Sequence, residues 1–144
     1  MSRDQARAAA STRRILIVED DRDLREALSE ILRDEGYVVA GAAHGREALQ
    51  LLRGDFHRPA LILLDLTMPV MNGWQFREHQ RRDPGLSGIP VIVLSAGDHL
   101  AEQMESLEIR EYVRKPIDLV HLLATIERHL SPTAPASEGV ISDQ

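Results

Sequence analysis

Five polar residues stand at the ends of short apolar runs, and their types suit one kind of chemistry. The run "ILIV" leads into Glu19 and Asp20, "LILL" leads into Asp65, "VIVL" leads into Ser95, and "YVR" leads into Lys115 and Pro116. A carboxylate is costly to bury without a partner. Several carboxylates brought together repel one another and shift their proton affinities, and a bound cation is the usual way to settle such a group. Hard oxygen ligands with room for water favour Mg²⁺. Asp20 and Asp65, supported by Glu19, therefore read as a magnesium site. Lys115 adds a fixed positive charge and Ser95 a hydroxyl. Positive charge beside a carboxylate is what handling a phosphoryl group requires: it neutralises the equatorial oxygens while the carboxylate serves as nucleophile. Asp65 is the nucleophile candidate, because it alone ends the run "LILLD". The product would be an acyl phosphate, labile in water and suited to a transient state.

For these residues to meet, the chain must bring the ends of separate strands to one edge. The hydrophobic pattern provides for this by alternating strand with helix. Strands are expected over 14–19, 37–43, 60–65, 89–97 and 110–115. Between them lie helical patterns. Leu24, Ala27, Leu28, Ile31 and Leu32 recur at helical spacing, with Gly36 as a stop. Ala48, Leu49 and Leu52 mark a second helix. "GWQFREHQRRDPG" reads as a polar surface helix that Trp74 and Phe76 pack down. "DHLAEQMESLE" reads as a short helix of weak amphipathicity. Leu119, Leu122, Leu123, Ile126 and Leu130 mark one face of the last helix. Strands apolar throughout and separated by helices imply a parallel sheet covered on both faces. The expected architecture is a flavodoxin-like, doubly wound (βα)5 sandwich whose five-stranded parallel sheet has order 2-1-3-4-5, with the site at the carboxyl ends of the strands.

Composition narrows the function classes. The chain has 144 residues, 43% of them hydrophobic and 28% charged, which suits one domain with a real core. The net charge of −6 and the 3% aromatic content argue against a nucleic-acid surface. With no cysteine, disulfides, thiolate zinc sites and thiol nucleophiles are excluded. The apolar runs are too short to cross a bilayer, and "MSRDQARAAASTRR" has no apolar signal-peptide core, so a cytoplasmic location is expected. Residues 1–12 read as a flexible N-terminal extension, 13–130 as the folded domain, and "SPTAPASEGVISDQ" over 131–144 as a flexible tail or linker remnant. The six histidines show no metal-binding spacing and are expected at the surface. Asp21 and Asp23 read as caps of the first helix.

Four segments, "ILIVEDD", "LILLDLTMPVMNG", "VIVLSAG" and "YVRKP", resemble in order and spacing the signature segments of the receiver domain of two-component response regulators, in the manner of single-domain chemotaxis regulators. The resemblance covers about 13–130. It implies Glu19 and Asp20 as the acidic pair, with Asp20 the direct metal ligand, and Asp65 as the phosphoacceptor. It implies Thr67 as the donor of a backbone carbonyl to Mg²⁺, Ser95 as the switch hydroxyl and Tyr112 as the aromatic switch. Lys115 becomes the phosphate-binding lysine, followed by a cis peptide to Pro116, and Pro69 and Gly73 form the turn after the phosphoacceptor. One stretch departs from the pattern. Where the family often carries a Gly-Ala pair before the aromatic switch, this chain has Glu108 and Ile109, and the fourth helix is expected to be short or irregular.

The function implied is a Mg²⁺-dependent phosphoryl acceptor rather than a turnover enzyme, with slow autodephosphorylation. Its phosphodonor would be a histidine kinase or a histidine phosphotransfer protein. A downstream protein would read the face formed by the fourth helix, fifth strand and fifth helix, without direct nucleic-acid contact. A phosphorylation-linked dimer is one outcome such a switch allows. Two other readings stand beside it. A haloacid-dehalogenase-type phosphatase also uses an aspartate nucleophile and Mg²⁺, but wants a second acid where this chain has Thr67. A pseudo-receiver would bind partners without being phosphorylated.

Overall fold

A computed structural model describes residues 13–97 and 100–130. The expected extension over 1–12, the tail over 131–144, and Asp98 and His99 lie outside the described residues. The elements run β1 (Arg14–Val18), α1 (Arg22–Asp34), β2 (Val38–Ala42), α2 (Gly45–Leu52), β3 (Leu61–Asp65), α3 (Gly73–Arg82), β4 (Val91–Ser95), α4 (Leu100–Leu107), β5 (Glu111–Arg114) and α5 (Leu119–Leu130). All four strand pairings are parallel, in the order β2-β1-β3-β4-β5. This is the flavodoxin-like order expected from the sequence, with its switch point between β1 and β3.

Strand alternation divides the core in two. Leu16, Val18, Ile62, Leu64, Val91 and Val93 face α2, α3 and α4, where they meet Leu49, Leu52, Phe76 and Met104. Ile15, Ile17, Leu61, Leu63, Ile92, Leu94 and Val113 face α1 and α5, where they meet Leu28, Leu32, Leu122 and Ile126. Both faces of the sheet are therefore dry, which is why the central strands β3 and β4 are apolar throughout. Side chains that cap helix starts are supplied by the loops on the site edge. Asp21 accepts from Leu24 N–H, His44 from Glu47 N–H, and Asn72 forms a capping box with Gln75. Asp21 is thus the cap expected of it, whereas Asp23 lies inside the first turn.

Three expectations are corrected. The third helix packs through Phe76 as expected, but it is not otherwise a polar surface helix, for Gln80 is fully buried too. Gln80 is admitted to the core because its amide donates to the carbonyls of Leu86 and Ile89 at 2.9 and 3.0 Å, which satisfies its buried donors. The fourth helix is short, as expected, but not weakly amphipathic: Leu100, Met104 and Leu107 form a buried stripe at i, i+4, i+7 spacing. In α5, Leu119 is 39% exposed and leaves the apolar face to Leu122 and Ile126. It is the first residue of the helix.

Candidate phosphoryl and metal site

Glu19, Asp65 and Lys115 converge because of strand parity. Each continues the alternation that places Ile17, Leu63 and Val113 on the α1/α5 side of the sheet, and each stands at or just past the carboxyl end of its strand. Glu19 is fully buried. Its Oε2 accepts from Asp21 N–H at 3.1 Å, and its own carbonyl accepts from the Arg25 guanidinium at 2.7 Å. These contacts fix the turn that leads from β1 into α1. Asp65 is 5% exposed, and its Oδ1 accepts from Thr67 N–H at 3.3 Å. Lys115 Nζ lies 2.7 Å from Glu19 Oε1 and 3.6 Å from Asp65 Oδ1. Asp20 is exposed at the rim, and one carboxylate oxygen each from Glu19, Asp20 and Asp65 lie within 4.8 Å of one another.

The electrostatics follow from this crowding. Burial, and after it the neighbouring Glu19 charge, push the Asp65 carboxyl up to about 7, against the opposing pull of Lys115 and the Thr67 N–H. Burial alone would lower the Lys115 ammonium, but its close ion pair with Glu19 and the charge of Asp65 outweigh that and raise it. The site thus holds more negative charge than Lys115 offsets. A divalent cation bound to Asp20 and Asp65 would correct that imbalance, and the oxygen-only donor set suits Mg²⁺.

The loop after β3 is shaped around Asp65. Gly73 N–H donates to the Leu66 carbonyl at 3.0 Å. A Cβ on Gly73 would stand 2.7 Å from both the Asp65 carbonyl oxygen and Leu66 Cα, so glycine is required by close backbone approach. Between them, Met71 N–H closes onto the Pro69 carbonyl at 2.6 Å around Val70, whose φ is +64°. This is a γ-turn, with a β-branched residue in the left-handed region.

The remaining candidates sit around this cluster. Ser95 ends β4, where its Oγ accepts from Gly97 N–H at 3.1 Å and its carbonyl accepts from Lys115 N–H at 2.9 Å. The peptide between Lys115 and Pro116 is cis. Thr67 is exposed at the rim. Tyr112 is not brought into the cluster. It pairs in register with Val93, two residues before Ser95 on the neighbouring strand. Tyr112 is 38% exposed, with the Arg114 guanidinium 5.9 Å from its ring centroid. By strand parity Ser95 and Tyr112 therefore share the side of the sheet opposite that of Glu19, Asp65 and Lys115. Arg25, which nothing in the sequence singles out, holds the Glu19 carbonyl.

The model of the response regulator receiver domain matches residues 15–127. The chain belongs to that family. The receiver chain is 40% identical over 124 residues to the response regulator MprA of Mycolicibacterium vanbaalenii, covering 85% of this chain and 52% of the relative. It is 36% identical over 126 residues to the alkaline phosphatase synthesis transcriptional regulatory protein SphR of Synechococcus elongatus, covering 81% and 48%. The chain thus spans about half the length of these curated relatives. Among solved structures it is similar to the chemotaxis protein CheY4 of Vibrio cholerae, with a TM-score of 0.73 and 30% identity over 80% of this chain and 96% of that one. It is also similar to the receiver domain of the sensor histidine kinase PA1611 of Pseudomonas aeruginosa, described with a magnesium ion coordinated in its active site cleft. There the TM-score is 0.74 and the identity 26%, over 82% of this chain and 97% of that one. Receiver domains are signalling domains, and no helix among the described residues is long and apolar enough to cross a membrane.

Proposed function

We propose that Asp65 is the phosphoacceptor of this receiver, taking a phosphoryl group from the phosphohistidine of a histidine kinase or phosphotransfer protein. The observation that carries this reading is the placement of Asp65. It is a nearly buried carboxylate, 3.6 Å from Lys115 and grouped with Glu19 and Asp20. In the transfer, an Asp65 carboxylate oxygen forms a bond to phosphorus as the phosphorus–nitrogen bond of the donor breaks. The histidine nitrogen keeps the electron pair and takes a proton. Lys115, held by Glu19, stands ready to pair with the phosphoryl oxygens, and Ser95 offers its hydroxyl from the end of β4.

Asp20 and Asp65, with Glu19 in support and the Thr67 carbonyl, are the groups we assign to Mg²⁺. A cation there would keep Asp65 ionised and offset the charge of the incoming phosphoryl oxygens. The likeness to a receiver described with coordinated magnesium supports the assignment. The new charge then biases the face made of α4, β5 and α5, with Ser95 and Tyr112 as the coupled switch, for a downstream protein to read. We place the receiver unit at 13–130 and the protein in the cytoplasm, acting as a phosphorylated partner-binding switch rather than a turnover enzyme.

The phosphatase alternative is the weaker reading, because its motif wants a second acid two residues after the nucleophile. Asp65 ends the third strand of a receiver sheet, and the position two residues on is Thr67. Borohydride reduction after treatment with acetyl phosphate and Mg²⁺ tests the proposal. The aspartyl phosphate should be converted to homoserine at position 65, and modification elsewhere or nowhere would overturn it.

A further inference from the structure

The end of α4 is closed in an unusual way. Ile109 N–H bonds to the Met104 carbonyl at 3.0 Å and Glu108 N–H to the Glu105 carbonyl at 3.1 Å, while Ile109 and Met104 are both buried in the core. This is a Schellman closure, whose left-handed position normally belongs to glycine. At the end of α1 that position is indeed Gly36, with φ of +95°. At the end of α4 it is Glu108, with φ of +58°. A glutamate held there carries strain, so something else must hold the helix end in place.

The structure shows what does. Arg77 of α3 donates from Nε to the Leu107 carbonyl at 2.9 Å and from Nη2 to the Glu108 carbonyl at 3.0 Å. Its Nη1 donates to Gln80 Oε1 at 2.7 Å. Gln80, fully buried, passes the connection on to the Leu86 and Ile89 carbonyls. Arg81 pairs with the Glu108 carboxylate at 2.9 Å. Arg13 holds Glu35 and Gly36 at the end of α1 in the same two-pronged way, at 3.0 Å each. Burial, then the charge of Arg81, push the Arg77 guanidinium below its ordinary value, as expected for a cation drawn out of water to make these contacts. At its other end, α4 starts five residues after Ser95. It is a short lever with one end near the candidate switch hydroxyl and the other held by Arg77.

The geometry points to Arg77 as a latch that holds the α4 terminus against α3 in the unphosphorylated protein and so restrains the switch. The regulatory half of this inference rests on the phosphoacceptor reading above. Charge-assisted hydrogen bonds to carbonyls of a strained terminus raise the free energy needed to move that helix. The latch belongs to the unphosphorylated arrangement, so removing it shifts the population toward the phosphorylated one.

Hydrogen exchange on the full chain tests the latch directly. In Arg77→Gln, amides of α4 and of Ile109 should exchange about 10- to 100-fold faster, while those of β1 and β3 stay unchanged. Arg77→Lys keeps the charge and the stem but lacks the fork, and it should loosen the same amides. Unchanged protection of α4, or an equal loss across the whole sheet, would overturn the latch. For the regulatory half, Arg77→Gln should take up phosphoryl groups from acetyl phosphate about 3- to 10-fold faster than the unaltered chain. An equal or slower rate would overturn it. Absence of any adduct in the unaltered chain would instead refute the phosphoacceptor reading and with it the regulatory half, while the exchange data would still decide whether the latch exists.

Discussion

Replacing Asp65 with asparagine should stabilise the protein, and the expected gain can be worked from the site. In the folded state burial and Glu19 raise the Asp65 carboxyl from its ordinary 3.8 to about 7. The folded chain therefore binds a proton more tightly than the unfolded chain, and stability falls as pH rises through the window from about 4 to 7. Above that window the loss is complete. The full displacement corresponds to about 4 kcal/mol, at about 1.4 kcal/mol for each tenfold change in proton affinity. Solvent at the open mouth of the site screens part of this, so we expect about 2 kcal/mol. Asparagine imitates the neutral acid and carries no such penalty. Urea unfolding followed by the fluorescence of Trp74, the single tryptophan, is a suitable assay because that side chain packs against the core. Asp65→Asn should gain about 2 kcal/mol at about pH 8 and less than half of that at about pH 5. Mg²⁺ should stabilise the unaltered protein at the higher pH and leave Asp65→Asn unmoved. A variant no more stable than the unaltered chain at the higher pH, or a gain independent of pH, would refute the electrostatic account of the site.

Other substitutions probe the surroundings. Gly73→Ala forces a Cβ to within 2.7 Å of backbone atoms of Asp65 and Leu66; it should cost about 2 kcal/mol and slow phosphorylation, and an unaltered unfolding midpoint would count against the close-approach argument. Lys115→Met leaves Glu19 and Asp65 facing each other without their cation. It should destabilise by about 1–3 kcal/mol at about pH 8, and by less as Asp65 takes up its proton, so a cost that grows toward acid pH would contradict it. Val70→Gly relieves a left-handed β-branched residue at φ of +64°, and should raise stability by about 1 kcal/mol in thermal unfolding, where a loss would refute the strain.

Much of the fold is legible in the sequence because its signal is the alternation of apolar strands with amphipathic helices. "LILLD" and "VIVLS" read as strands covered on both faces, being short, apolar and bounded by turn signals, and the end of each places Asp65 and Ser95 on the edge where Glu19 and Lys115 also stand. What escapes is whatever depends on a partner far away in sequence. Gln80 looks like a surface residue until two loop carbonyls satisfy it. Arg77 looks like one more charge on a polar helix, since its carbonyl partners lie 30 and 31 residues on. The stripe of α4 is hard to see in eight residues with three apolar contacts. Leu119 fits the helical period but stands at the first position of its helix, where it stays partly exposed. Glu108 stands out in the sequence only as a departure from the resemblance, and its left-handed backbone is a conformation that favours glycine.

The central claim is tested most directly by intact mass after incubation with acetyl phosphate and Mg²⁺. The unaltered chain should gain the mass of one phosphoryl group, lose it on standing, and fail to gain it when Mg²⁺ is chelated. Asp65→Asn should gain none. A chain that stays at its original mass, or an Asp65→Asn chain that carries the same adduct, would contradict the assignment of Asp65 as phosphoacceptor.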